Sequence, residues 1–287
     1  MKKTTVHWLR RLWKTNGRRL IWLGVVLIST LVVLLTSLEQ VDAHRDSLSG
    51  NTVQGISTAP PASPSLPMPQ VHPLPPTLAH WQDSTHAGDY FSEIKLTPVN
   101  YLVWSQFPVK VYVERPKEPV ESSASAQRFQ NWMDAVLQAV GEWNAYLPLE
   151  VVSQSEGADI AILRSRPPLQ ASLNRETGKF DSIRARTAET RYEFYLRQSE
   201  NEKRFDIIAQ KFTIQLSPDQ SVDFTIATAR HELGHALGIW GHSPVETDAL
   251  YFSQVRNPPG ISARDINTLK RIYQQPTRLG WTLEGQG

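Results

Sequence analysis

Residues 231–243 read His-Glu-Leu-Gly-His-Ala-Leu-Gly-Ile-Trp-Gly-His-Ser, and the rest of the chain is best understood outward from them. His231 and His235 are four apart, so on a helix their imidazoles stack on one face and converge on one point. Glu232, beside the first of them, can reach a water held at that point. Two neutral nitrogen donors, one carboxylate and room for water form the pattern of a hydrolytic zinc site. There the metal activates water and polarises a carbonyl, and the glutamate takes a proton and relays it to a leaving amine. Gly234 allows a close neighbour. Gly238 suits the left-handed conformation that ends a helix and turns the chain back, which brings His242 within reach of the same metal. The expected set is therefore His231, His235 and His242 as Zn2+ ligands, with Glu232 as general base.

The other histidines lie elsewhere in the sequence: His7 near the start, and His44, His72, His80 and His86 in a proline-rich stretch. On this reading the folded domain has three histidines, all inside residues 231–242. With no cysteine in the chain, disulfides and thiolate ligands are excluded, and so is a pro-segment that blocks zinc with a thiolate.

Upstream, the chain is organised for a membrane. Residues 20–38 (LIWLGVVLISTLVVLLTSL) are apolar and uncharged, and as a helix they would span ~29 Å, close to the ~30 Å bilayer core. Trp8, Trp13 and Trp22 lie at or before the start of this run, where indoles favour the interface. Residues 1–19 carry seven Lys or Arg and no acid, and only Arg45 is basic just after the span. The positive-inside bias puts the N-terminus in the cytoplasm and the remainder across the membrane. The alternative is a signal peptide cleaved after Val41-Asp42-Ala43, which would release a secreted protein. Because the net charge of the whole chain is +2, the part beyond residue 19 is net acidic, which argues against a nucleic-acid partner.

Residues 39–88 read as a disordered tether. Pro60, Pro61, Pro64, Pro67, Pro69, Pro73, Pro75 and Pro76 crowd into it and favour extended polyproline II. A domain over residues 89–287 follows. Alternation at Val109, Val111 and Val113 predicts a strand. A helix over 125–146 has one apolar stripe through Phe129, Trp132, Met133, Val136, Leu137, Val140, Trp143 and Leu147. Short strands are expected at 149–152 and 159–163. Two alternating runs, 190–197 and 205–216, predict a long hairpin. The motif helix should begin near 219–221, and Ser262 with Asp265 predicts a capping box for a last helix.

HELGHALGIWGHS resembles the metzincin zinc consensus HExxHxxGxxH, most of all that of the matrixin-like peptidases. Asp248-Ala249-Leu250-Tyr251-Phe252 is similar to the matrixin Ala-Leu-Met-Tyr segment, and Ile261-Ser262-Ala263-Arg264-Asp265-Ile266 to the Leu-Ser-x-x-Asp-Ile opening of its last helix. The resemblance covers residues 100–275, most strongly 229–273. It implies a mixed α+β fold with a twisted, mostly parallel five-stranded sheet, a long packing helix, the zinc helix and a C-terminal helix; the apolar run 20–38, read from its own hydropathy, would precede this domain as one transmembrane helix. It also implies a substrate cleft along an edge strand near residues 192–196, which would offer hydrogen bonds to an extended peptide.

This chain departs from the family in three ways. The third histidine lies at 242, with glycine at 241, so either a bulge near Trp240-Gly241 brings it in or Glu246 or Asp248 completes the site. Tyr251 stands where the family has a methionine. No calcium-site loops are evident. The expected function is a membrane-anchored zinc endopeptidase acting on proteins or peptides outside the cytoplasm, with residues 254–259 as candidate pocket lining. The alternative is an inactive, zinc-stabilised, membrane-anchored binding protein, which a fourth protein ligand would betray.

Overall fold

The computed structural model describes residues 66–116, 123–169, 186–198 and 206–283. Residues 1–65, including the apolar stretch 20–38, lie outside the described residues. Among those described, no helix is long and apolar enough to cross a membrane.

Five strands form one sheet: β1 (Val109–Val113), β2 (Leu149–Val152), β3 (Ile160–Leu163), β4 (Ala188–Gln198) and β5 (Asp206–Leu216). Their order is β2-β1-β3-β5-β4, and every pairing is parallel except β4 with β5. The sheet is thus mostly parallel, as the resemblance implied. The predicted hairpin is the β4–β5 pair, with Tyr192 opposite Phe212 and β4 on the outer edge. Alternation dictates its faces: Ile208, Phe212, Ile214 and Leu216 of β5 are buried, whereas β4 stays half-covered.

Helix α1 (Pro76–His80) is short and opens with proline, whose missing N–H costs nothing at a first turn. Helix α2 (Ala124–Asn144) lays Trp132, Val136, Ala139, Val140 and Trp143 into the core. Helix α3 (Val222–Ala236), capped by Ser221, carries the motif. Helix α4 (Ala263–Tyr273) has the expected capping box between Ser262 and Asp265.

Buried carbonyls in the C-terminal half of α3 and at its C-cap are met by side-chain donors. The Trp143 indole donates to the Arg230 carbonyl at 2.8 Å, Trp104 to Ala236 at 2.9 Å, and Tyr273 Oη to Leu237 at 3.0 Å. A helix end buried without such donors would be costly. Arg230 also ties α3 to α2, with Nε and Nη2 at 2.5 and 3.0 Å from the Glu142 carboxylate, and its Nη1 reaches the Pro259 carbonyl.

Burial by itself would raise the Glu142 carboxyl, but the Arg230 guanidinium outweighs it and holds the group below its ordinary value of 4.5. A depressed folded pKa means the stabilisation is present above about pH 4.5 and is lost as pH falls through the folded value. Melting temperature should therefore fall more steeply below pH 4.5 in the wild type than in Glu142→Gln. Thermal melts across pH 3–7 check this.

The proline-rich segment contains the main correction. Its last part, residues 66–88, packs on the domain instead of hanging free, so the domain begins well before residue 89. Gln70 pairs with Thr277 through two backbone bonds of 3.0 and 2.9 Å. The His72 ring stacks on Trp281 at 4.3 Å, with Nε2 2.8 Å from the Leu279 carbonyl. Leu78 is fully buried, Leu74 and Trp81 pack against the core, and Lys270 reaches the carbonyls of Ala79 and Trp81. Pro67 and Pro75 are themselves buried, and with these apolar side chains they give the strap something to bury. Consequently the domain's histidines are not confined to residues 231–242, since His72 belongs to its packing.

Candidate metal centre

The structure brings His231, His235 and His242 together, with one donor nitrogen from each lying within 4.8 Å of the others. Each of the first two rings is fixed from behind. His231 Nδ1 is 2.9 Å from the Ala249 carbonyl, and His235 Nδ1 is 2.7 Å from the Ile239 carbonyl. A carbonyl can only accept, so each Nδ1 carries the proton and each Nε2 presents a bare lone pair. Those two Nε2 atoms are 3.1 Å apart. Two neutral lone pairs repel at that distance unless a cation lies between them. Nitrogens on a tetrahedral zinc, each at about 2.0–2.1 Å, stand about 3.3 Å apart, so this donor pair fits the metal.

Electrostatics favour the neutral form of His235 and His242. Burial, then the neighbouring His231 and His242, press the His235 pKa well below the usual imidazole value. Burial, His231 and Lys95 lower that of His242 to about 4.

The displaced third histidine arrives through the expected bulge. After α3, Gly238 takes φ +126°, and its missing Cβ would stand 2.5 Å from the Leu102 carbonyl oxygen, so a side chain there is barred twice. Two tight turns follow, Trp240 N–H to the Gly238 carbonyl at 2.8 Å and Gly241 N–H to Ile239 at 3.0 Å. They absorb the extra residue and deliver His242. The carboxylate alternatives are otherwise engaged or remote. Asp248 is buried and taken up by Ser243, Ser262 at 2.8 Å and Arg264 at 3.0 Å, while Glu246 faces solvent.

Glu232 is 9% exposed beside the histidines, and Thr190 of β4 donates to its Oε2 at 2.6 Å. Burial raises its pKa, opposed by His231 and the Thr190 bond, while Glu189 adds to the rise and Arg186 counters it. Next to Glu232 and His231 opens a pocket of about 160 Å³, lined in part by Ala227, Tyr251, Val255 and Pro258. Gln254 and Pro259 also line it, as the sequence had suggested for residues 254–259. Tyr251, in the place aligned with the family methionine, forms pocket wall, its ring 4.4 Å from Phe252. Its neighbour Leu250 lies under α3, where a Cβ on Gly234 would come within 2.6 Å of it. Gly234 thus permits the close approach expected of it.

Three contributors escaped the sequence reading: Thr190, the Arg230–Glu142 pair, and Asp265. The Asp265 carboxylate accepts from Tyr90 Oη at 2.6 Å and from the backbone of Ala249 and Ser262 at 2.9 and 2.8 Å. It therefore seats the segment whose Ala249 carbonyl holds His231. The capping box and the Leu-Ser-x-x-Asp-Ile likeness marked Asp265 as part of the last helix's opening, and neither signalled its bonds to Tyr90 and Ala249.

No curated protein matches the chain. The family model for matrixin, a peptidase family that typically binds zinc, matches residues 120–274. That span exceeds half of the 287 residues and takes in α2, the β4–β5 hairpin beside the pocket, the motif helix and α4, and on this ground the chain belongs to the matrixin family.

Proposed function

We propose that this chain is a zinc-dependent endopeptidase that hydrolyses peptide bonds of proteins or peptides. The observation that carries the reading is the pair of bare imidazole nitrogens 3.1 Å apart with the buried Glu232 carboxylate beside them. His231, His235 and His242 would hold the metal. Bound there, zinc supplies Lewis-acid polarisation of a nucleophilic water and of the scissile carbonyl.

The chain's own residues do the rest. Glu232 takes a proton from the water as its oxygen bonds to the carbonyl carbon. It then gives that proton to the amine nitrogen as the C–N bond breaks. Strand β4, at the sheet edge, offers backbone partners to an extended peptide, and the pocket beside Glu232 receives one side chain. Among the described residues the metal-capable cluster has three members. That number leaves a position for water and favours catalysis over an inert, closed site.

The apolar run 20–38 and the basic residues before it support a single-pass anchor with the peptidase domain outside the cytoplasm.

The test uses the full chain and fluorescein-labelled casein. Cleavage is expected to stop with 1,10-phenanthroline and to return on adding zinc. Cleavage that persists in the chelator would show a different chemistry.

A further inference from the structure

We propose that Thr190 is a positioning residue for Glu232: its hydroxyl fixes one carboxylate oxygen and leaves the other free to take the proton. The proposal rests on Glu232 acting as the base. Thr190 Oγ1 lies 2.6 Å from Glu232 Oε2 and 3.2 Å from the Glu232 carbonyl oxygen. A hydroxyl has one proton, both neighbours are acceptors, and the charged, nearer oxygen takes it. Among the described residues no other side chain donates a hydrogen bond to this carboxylate. Glutamate has three side-chain torsions, so a buried carboxylate with one donor owes its aim to that donor.

The anchor itself is rigid. Thr190 is β-branched, which restricts its first side-chain torsion, and it sits in the ladder opposite Ile214. It also belongs to β4, the strand proposed to pair with the peptide. One element therefore both docks the substrate and aims the base, so loss of the hydroxyl should act on turnover more than on binding. Valine has the shape of threonine without the hydroxyl, and serine keeps the hydroxyl.

The experiment makes Thr190→Val and Thr190→Ser in the full chain, and Thr190→Val again in a Glu232→Ala background. Zinc content, casein kinetics and, in chelated protein, the thermal midpoint are measured. Thr190→Val should keep its zinc and hold KM within about twofold, while kcat falls about 10-fold, the size expected for one hydrogen bond to a charged group. Thr190→Ser should recover most of that rate. The valine change should lower the midpoint in the wild-type background and leave it unmoved in Glu232→Ala.

Unchanged kcat, serine no better than valine, or equal midpoint losses in both backgrounds would overturn the proposal. A wild-type chain that binds zinc but cuts no casein would instead overturn the peptidase reading. The midpoint comparison would still decide whether Thr190 holds Glu232.

Discussion

Glu232→Gln is expected to lower casein turnover by about 10³-fold while the chain retains its zinc. The substitution nearly preserves shape. The amide oxygen can still accept from Thr190, which lies 2.6 Å from the carboxylate, so the helix and the histidines stay in place. What disappears is a group able to carry a proton from water to the leaving amine. An uncharged side chain is also easier to bury at a position only 9% exposed, so stability should hold or rise slightly. Loss of rate together with loss of zinc would instead mark Glu232 as part of the metal-holding frame. Wild-type turnover in Glu232→Gln would remove it from the mechanism.

The second large effect is on stability. Asp265→Ala should destabilise the domain by about 4 kcal/mol, because it strips acceptors from several buried donors at once, each costing roughly 1–3 kcal/mol when unpaired. Those donors are the Tyr90 hydroxyl and the backbone N–H groups of Ala249 and Ser262. Burial holds the Asp265 carboxyl above its ordinary value, and the hydrogen bonds from Tyr90, Ser262 and Ala249 oppose that rise only in part. Because Ala249 also holds His231 through its carbonyl at 2.9 Å, the damage should spread to zinc affinity. Urea unfolding followed by tryptophan fluorescence, with a zinc-affinity titration, checks both parts. An unchanged urea midpoint would mean that Asp265 does not seat this segment.

What the sequence revealed and what it hid have a common cause. The apolar stripe of α2, the alternation of β4 and β5 and the Ser262–Asp265 box are local patterns, and each element appears within a few residues of its expected place. The histidine spacing is local as well. By contrast, Thr190 lies 42 residues from Glu232, Glu142 lies 88 from Arg230, and Tyr90 lies 175 from Asp265. No local pattern reports partners so far apart.

The strap was misread for a related reason. Five prolines, at 67, 69, 73, 75 and 76, dominate its composition, while the contacts that dock it come from Leu74, Leu78, Trp81 and the stacked His72. The bulge at Trp240-Gly241 lay between these cases. The shift of His242 was visible in the count, and the two tight turns that absorb it needed coordinates.

Zinc stoichiometry tests the central claim most directly. The purified full chain, dialysed against metal-free buffer, should hold one zinc per chain, and His235→Ala should reduce that to background. A folded wild-type chain without zinc, or a His235→Ala variant that keeps its full complement, would contradict the account.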